Sequence, residues 1–185
     1  MDSIVDKLYQ IFRSLLDKVI SYISIIIMLA GTGLAISEVA RRYVFDTVFD
    51  WGQDAVTYGM VGAIFLYFAV TQARRSHLRM SALMDALEKR GYEKFVLFIR
   101  ALFSTLGFIV YCAIAYWGWF AMERSIELGR KTYSMVLLIW PFQAILVTSF
   151  ILLALVCLFQ LYQDIRGLMG KKVFEWAPVE EGIEI

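Results

Sequence analysis

Four long stretches of this chain carry apolar side chains with almost no interruption, and the polar residues are gathered between them. The stretches run over 19–39, 55–73, 101–122 and 135–162. None alternates in the period-two manner of a half-buried strand, and each is longer than ordinary strands, so all four are predicted to be helices. A hydrocarbon layer about 30 Å thick needs roughly 20 helical residues to cross it. Each stretch meets that length. Backbone N–H and C=O groups find no water in lipid, and a helix lets one segment satisfy its own.

Two weaker patterns flank these runs. Ile4, Leu8, Phe12, Leu15 and Val19 recur at helical spacing among charges, which predicts an amphipathic helix over 3–18 lying at the membrane surface before the chain turns inward. Met80, Leu83, Met84 and Leu87 repeat the pattern beside Arg79, Asp85, Lys89 and Arg90. A second interfacial helix is expected over 78–90, with Gly91 as its stop. Residues 169–185, ending VFEWAPVEEGIEI, show no apolar periodicity and read as a mobile tail. The expected architecture is an all-α membrane protein, with four transmembrane helices in a domain over 1–168.

Composition agrees with that pattern. The apolar fraction is 60% and the charged fraction 19%, with mean hydropathy +0.65, whereas soluble domains average roughly 45 to 50% apolar and about 25% charged. Net charge is +1, which gives no basic surface for a nucleic-acid partner. Cys112 and Cys157 each sit inside an apolar run, where a thiol packs as a small hydrophobe. The first eighteen residues carry Asp2, Asp6, Lys7, Arg13, Asp17 and Lys18 without a short apolar core and small-residue cleavage site, so a removed signal peptide is not expected.

Lys and Arg distribution sets the direction of insertion. Thirteen of the eighteen lie before the first run, between the second and third, or after the fourth; the other five are Arg41, Arg42, Arg124, Arg130 and Lys131. Both ends of the chain are therefore expected in the cytoplasm. Trp51, Trp117, Trp119 and Trp140 fall near the opposite boundary, where an aromatic belt would place them.

Ionisable side chains at membrane depth mark substrate and ion routes. The central portions of the four runs contain no Asp, Glu, Lys, Arg or His. Glu38 stands near the end of the first run with Arg41 and Arg42 three and four residues on, a neutralising arrangement on one helix face. A proton-carrying role for Glu38 is the competing reading. Arg100 near the start of the third run can snorkel to the headgroups. Pro141 lies in the first turns of the fourth run, where a missing donor does little harm, so no helix looks broken at its centre. Gly59 and Ala63 have the four-residue spacing that lets helices approach closely. His77 is the single histidine and reads as a polar residue at headgroup level. No metal-binding spacing, nucleophile elbow or phosphate-cradling glycine motif occurs, so neither a cofactor nor an enzyme is indicated.

The entrance to the second run, FDWGQDAVTYG, concentrates the polar signal. Asp50 followed by Gln53 fits a capping box, and Asp54 in the first turn favours the helix dipole. Trp51 beside these acids, after the aromatic and basic loop RRYVFDTVFD, is the composition that protein contact sites favour.

These residues carry a family resemblance. Arg42, Tyr43, Val44 and Phe45, then Trp51 with Gln53 and Asp54, then His77, Leu78, Arg79 and Met80 stand in the order and spacing of the small membrane subunit of tripartite ATP-independent periplasmic (TRAP) transporters, and the resemblance extends from about Leu15 to Leu168. That family usually shows Glu-Glu where Gln53-Asp54 stands, and prolines around a Trp where this chain has Trp140 followed directly by Pro141. The resemblance implies residence in the bacterial inner membrane and a division of labour: a large membrane subunit carries the substrate and sodium sites, a periplasmic binding protein delivers an organic acid, and the small subunit is a scaffold. On that reading Arg42, Tyr43, Trp51, Gln53 and Asp54 support docking on the outer side, while His77, Arg79, Met80, Leu83, Met84 and Leu87 brace the inner interface, with lipid around the rest. The alternative is a self-assembling four-helix carrier or channel with Glu38 as its coupling acid.

Overall fold

A computed structural model describes residues 2–73 and 93–169, and all its regular structure is helical. Helix α1 spans Asp2–Leu15 and passes through a π-helical segment, Leu16–Ile20, directly into α2, Ser21–Val44. Then come α3, Gly52–Ala73, α4, Glu93–Glu127, and α5, Trp140–Leu168. Four helical stretches are long and apolar enough to cross a membrane, as the sequence predicts. The second interfacial helix expected over 78–90, with His77, Arg79, Met80, Leu83, Met84 and Leu87, lies outside the described residues, and so does nearly all of the tail expected over 169–185.

Two helix boundaries differ from the expectation. No turn separates α1 from the first span: the helix from Lys7 to Val44 is continuous over 38 residues, about 57 Å at 1.5 Å per residue. That is nearly twice the hydrocarbon thickness. The joint is the π segment, where the Ser21 N–H donates to the Leu16 carbonyl five residues back. At the other end of the chain, Met135–Ile139, expected inside the fourth span, forms part of the α4–α5 loop. Met135 has a positive φ of 61°, and the loop is cross-braced by Thr132 N–H to Leu137 O (2.8 Å) and Ile139 N–H to Arg130 O (3.1 Å). Pro141 then opens α5, at the position where its fixed φ helps and its missing donor is harmless.

The transmembrane helices form an open row in the order α2, α3, α5, α4, with α5 the most enclosed. The π segment lies against α3, and α2 and α4 make no extended contact with each other. Without a hydrophobic force between helices in lipid, close packing and polar pairs must hold them. Small residues provide the packing. A Cβ at Gly62 would sit 2.9 Å from Ile145 Cγ2, one at Gly118 would sit 3.0 Å from Val147 Cγ2, and Ala63 is fully buried. Gly59, expected at a close approach, faces nothing within 4 Å.

A buried cluster joins the far end of the row. Leu16, Ala69, Val70, Ala73, Leu153 and Val156 pack together, with Phe12 and Ile20 against them. Tyr9 and Phe12 both meet Phe159, at ring separations of 5.2 and 5.5 Å. The N-terminal helical stretch therefore docks on the bundle through Tyr9 and Phe12 of α1 and Leu16 of the π segment, while Leu8, Leu15 and Val19 of the expected apolar face stay exposed. Beside the cluster, the Gln160 side-chain amide donates to the Gln72 carbonyl oxygen (2.6 Å) and Gln72 Nε2 donates to Gln160 Oε1 (3.3 Å). Ser104 donates to the buried carboxylate of Asp164 (3.2 Å) across α4 and α5.

Because Leu16 is completely buried, Leu16→Ala is expected to lower stability by about 2 to 5 kcal/mol; thermal unfolding of the detergent-solubilised chain measures it. Val19→Ala, on the exposed face, should have a much smaller effect. Gly62→Val should separate α3 from α5 and lower the melting temperature, whereas Gly59→Ala should leave it nearly unchanged.

Candidate functional site

Two loops, 45–51 and 128–139, emerge at the same end of the row, and the polar residues singled out in the sequence meet there. The first loop is organised by Arg41 in the last turn of α2. Its carbonyl accepts from Phe45 N–H (3.0 Å) and Thr47 N–H (3.4 Å), and its guanidinium lies 3.8 Å from the centre of the Phe49 ring. Its Nη2 also donates to Thr47 Oγ1 at 3.4 Å. Phe49 in turn packs on Trp51, with ring centres 5.3 Å apart. Trp51 is thereby half-buried and held by its neighbours.

The start of α3 is built differently from the expected capping box. Phe49 O accepts from Gly52 N–H and Trp51 O accepts from Ala55 N–H, while the Asp50 side chain makes no hydrogen bond among the described residues and is exposed. The main-chain turn already supplies the first helical acceptors. Gly52 lets the chain pass close to its neighbours, since a Cβ would sit 2.8 Å from Glu38 Oε2, the mobile end of a side chain, and 3.1 Å from Phe49 Cβ. The expected pairing of Glu38 with Arg41 and Arg42 is not formed. Arg41 is turned to Thr47 and Phe49, and the Glu38 carboxylate lies instead against Gly52 at the entrance of α3.

Asp54 ties the start of α3 to the second loop. Its Oδ2 accepts from the Ser134 N–H at 2.8 Å. Thr132, buried, and Ser134 share a hydrogen bond of 3.2 Å between their hydroxyls. Asp54 lies in the first turn of α3. The Ser134 N–H thus gives the carboxylate a main-chain donor. Met135, Val136 and Tyr133 are exposed on the loop so braced.

Gln53, next to Asp54 in sequence, faces another way. With Arg42, Tyr43 and Glu38 it lines an open cleft of about 320 Å³ between α2 and α3, whose remaining lining includes Ala35, Val39 and Val56. The proposed outer contact set therefore divides into three neighbouring features: the cleft with Arg42, Tyr43 and Gln53, the Trp51 stack, and the Asp54 bridge. Sequence reasoning missed Ser134 and Thr132 as partners of Asp54, because an apolar stretch containing Met135–Ile139 conceals a loop. It also missed Asp164, Gln160 and Gln72, whose signal was polar residues recurring near the ends of apolar runs. Among the described residues, no group of His, Cys, Asp and Glu could hold a metal ion.

Residues 31–167 match the family described as tripartite ATP-independent periplasmic transporters, DctQ component. The match covers more than half of the chain, including all of the loop end, and the chain belongs to this family. It is a small membrane subunit of a TRAP transporter, a multi-pass protein of a transporter family rather than an enzyme family, whose members work with a large membrane subunit and a periplasmic binding protein. Comparison with curated proteins and with solved structures gives no match.

Asp54→Asn keeps the side-chain size and removes the charge that accepts from Ser134. Amide exchange at Ser134 and its neighbours, followed by mass spectrometry, should become several-fold faster. Unchanged protection at Ser134 in Asp54→Asn would show that the loop is braced without this bond.

Proposed function

We propose that this chain is the fixed scaffold of a sodium-coupled transporter for organic acids in the bacterial inner membrane, supporting a large subunit through which the solute passes. The observation that carries the reading is the open row of helices. Helices α2 and α4 form its two edges, and neither closes on the other to surround a pathway. Both edges are apolar to the outside, with Tyr22, Ile26, Leu29 and Ile36 exposed on α2 and Phe103, Ile109 and Trp117 exposed on α4. Their middle portions hold no Asp, Glu, Lys, Arg or His. Such edges suit lipid and another apolar helix surface, and offer nothing to a hydrated anion.

The lysine and arginine distribution supports cytoplasmic ends, which puts the paired loops on the periplasmic side. There the Trp51 stack, the Asp54 bridge and the exposed Tyr133, Met135 and Val136 offer a braced aromatic and apolar surface to the large subunit, with the binding protein as a transient visitor. Arg42, Tyr43 and Gln53 border the same surface. On the inner side, His77, Arg79, Met80, Leu83, Met84 and Leu87 are proposed to complete the contact. Glu38 is poorly placed to be the coupling acid of a self-contained carrier, since its carboxylate lies at the rim against Gly52.

Reconstitution tests the proposal. Vesicles holding this chain alone should accumulate no four-carbon dicarboxylate or sialic acid under a sodium gradient, while vesicles with the large subunit and binding protein added should accumulate one. Uptake by the chain alone would overturn the scaffold reading. Replacing Trp51 and Asp54 together by Ala should lower both the yield of co-purified large subunit and the uptake rate; unchanged values for both would remove these residues from the interface.

A further inference from the structure

The cleft between α2 and α3, whose rim residues Arg42, Tyr43 and Gln53 the scaffold reading places beside the large subunit, also combines an apolar wall with two charges that do not meet. From α2, Ala35, Glu38, Val39, Arg42 and Tyr43 form one stripe at helical spacing, and Gln53, Val56 and Thr57 face them from α3. Ala35, Val39 and Val56 give the groove an apolar wall. Glu38 and Arg42 put one negative and one positive group into the same groove, and neither has an ion-pair or hydrogen-bond partner among the described residues. Two opposite charges four residues apart on a helix would ordinarily pair with each other. Here the carboxylate is drawn aside to Gly52, where a Cβ would touch it.

The groove sits where α2 leaves its apolar run, which on the membrane placement proposed above is headgroup depth. A partner that fits must bring a cation and an anion a few bonds apart, together with a hydrocarbon chain. We propose that this cleft binds a phospholipid with a phosphoethanolamine headgroup from the leaflet at the paired-loop end. Its ammonium group donates to the Glu38 carboxylate, its phosphate accepts from the Arg42 guanidinium, and an acyl chain lies along Ala35, Val39 and Val56. The Gln53 side-chain amide is available to the phosphate or glycerol oxygens. A choline headgroup has no N–H to give Glu38, and a glycerol headgroup has no cation, so the two charges together select ethanolamine.

The full chain, purified in mild detergent and equilibrated with equal amounts of phosphatidylethanolamine, phosphatidylcholine and phosphatidylglycerol of one acyl composition, is probed by native mass spectrometry. Phosphatidylethanolamine should be retained in preference to the other two. Glu38→Gln should abolish the preference. Arg42→Gln should lower retention of all three by about tenfold, the effect of losing one charge-assisted hydrogen bond. Val56→Trp should also lower retention by filling the groove while leaving both charges in place. Circular dichroism establishes that each variant keeps its helix content. Equal retention of the three lipids, a preference for phosphatidylglycerol that depends on Arg42 alone, or variants that bind like wild type would each overturn the proposal. A photoactivatable phosphatidylethanolamine provides a readout on the unmutated chain. Labelling of 35–43 and 53–57 supports the site; labelling elsewhere only, or shielding of these segments by a protein partner with no lipid retained, refutes it.

Discussion

Helix α5 is held from two sides, by α3 along one face and α4 along the other, and the positions of all the other parts depend on those two seams. Apolar attraction cannot create such seams in a bilayer, because the lipid tails are as apolar as the side chains. Close fit and a few polar bonds hold them instead. Gly62 admits Ile145, Gly118 admits Val147, and Gln160 reaches the backbone of Gln72. Once α5 is fixed against α3, the loop that precedes it brings Ser134 to Asp54. Rigidity at the loop end thus begins deep in the helices.

The existence and number of the spans are legible in the sequence because their signal is sheer apolar length, which loops and caps cannot imitate for twenty residues. Boundaries are harder. Met135–Ile139 is as apolar as any helix, and nothing in its composition reveals the left-handed turn at Met135; Pro141, placed by the sequence pattern inside the first turns of the span, stands at its start. Asp50 and Gln53 have capping-box spacing, yet the turn at Phe49–Gly52 starts α3 by main-chain bonds alone. In these places a generic local preference loses to a specific tertiary arrangement.

Site residues show the same difference on a smaller scale. Gln53 and Asp54 are neighbours in the chain and look like one contact patch, but successive helical positions point about 100° apart. One lines the cleft and the other ties down a loop. Glu38 and Arg42 have the spacing to neutralise each other. The decisive fact, that Gly52 leaves room for the carboxylate on a different helix, concerns residues far enough apart that no spacing rule connects them. Family membership, in contrast, is readable from short motifs because it depends on order along the chain and not on direction in space.

The π segment at Leu16–Ile20 works as a phase adjuster between two stretches of ordinary helix. An extra residue accommodated inside a continuous rod rotates the stretch on its N-terminal side by roughly one residue's worth, about 100°, relative to the stretch on its C-terminal side. That rotation is what allows Tyr9 and Phe12 to settle on Phe159 while α2 keeps its own face toward α3. Shortening the joint by a single residue would restore uniform winding and swing those rings off their support. The N-terminal helix would stay helical and simply lose its grip.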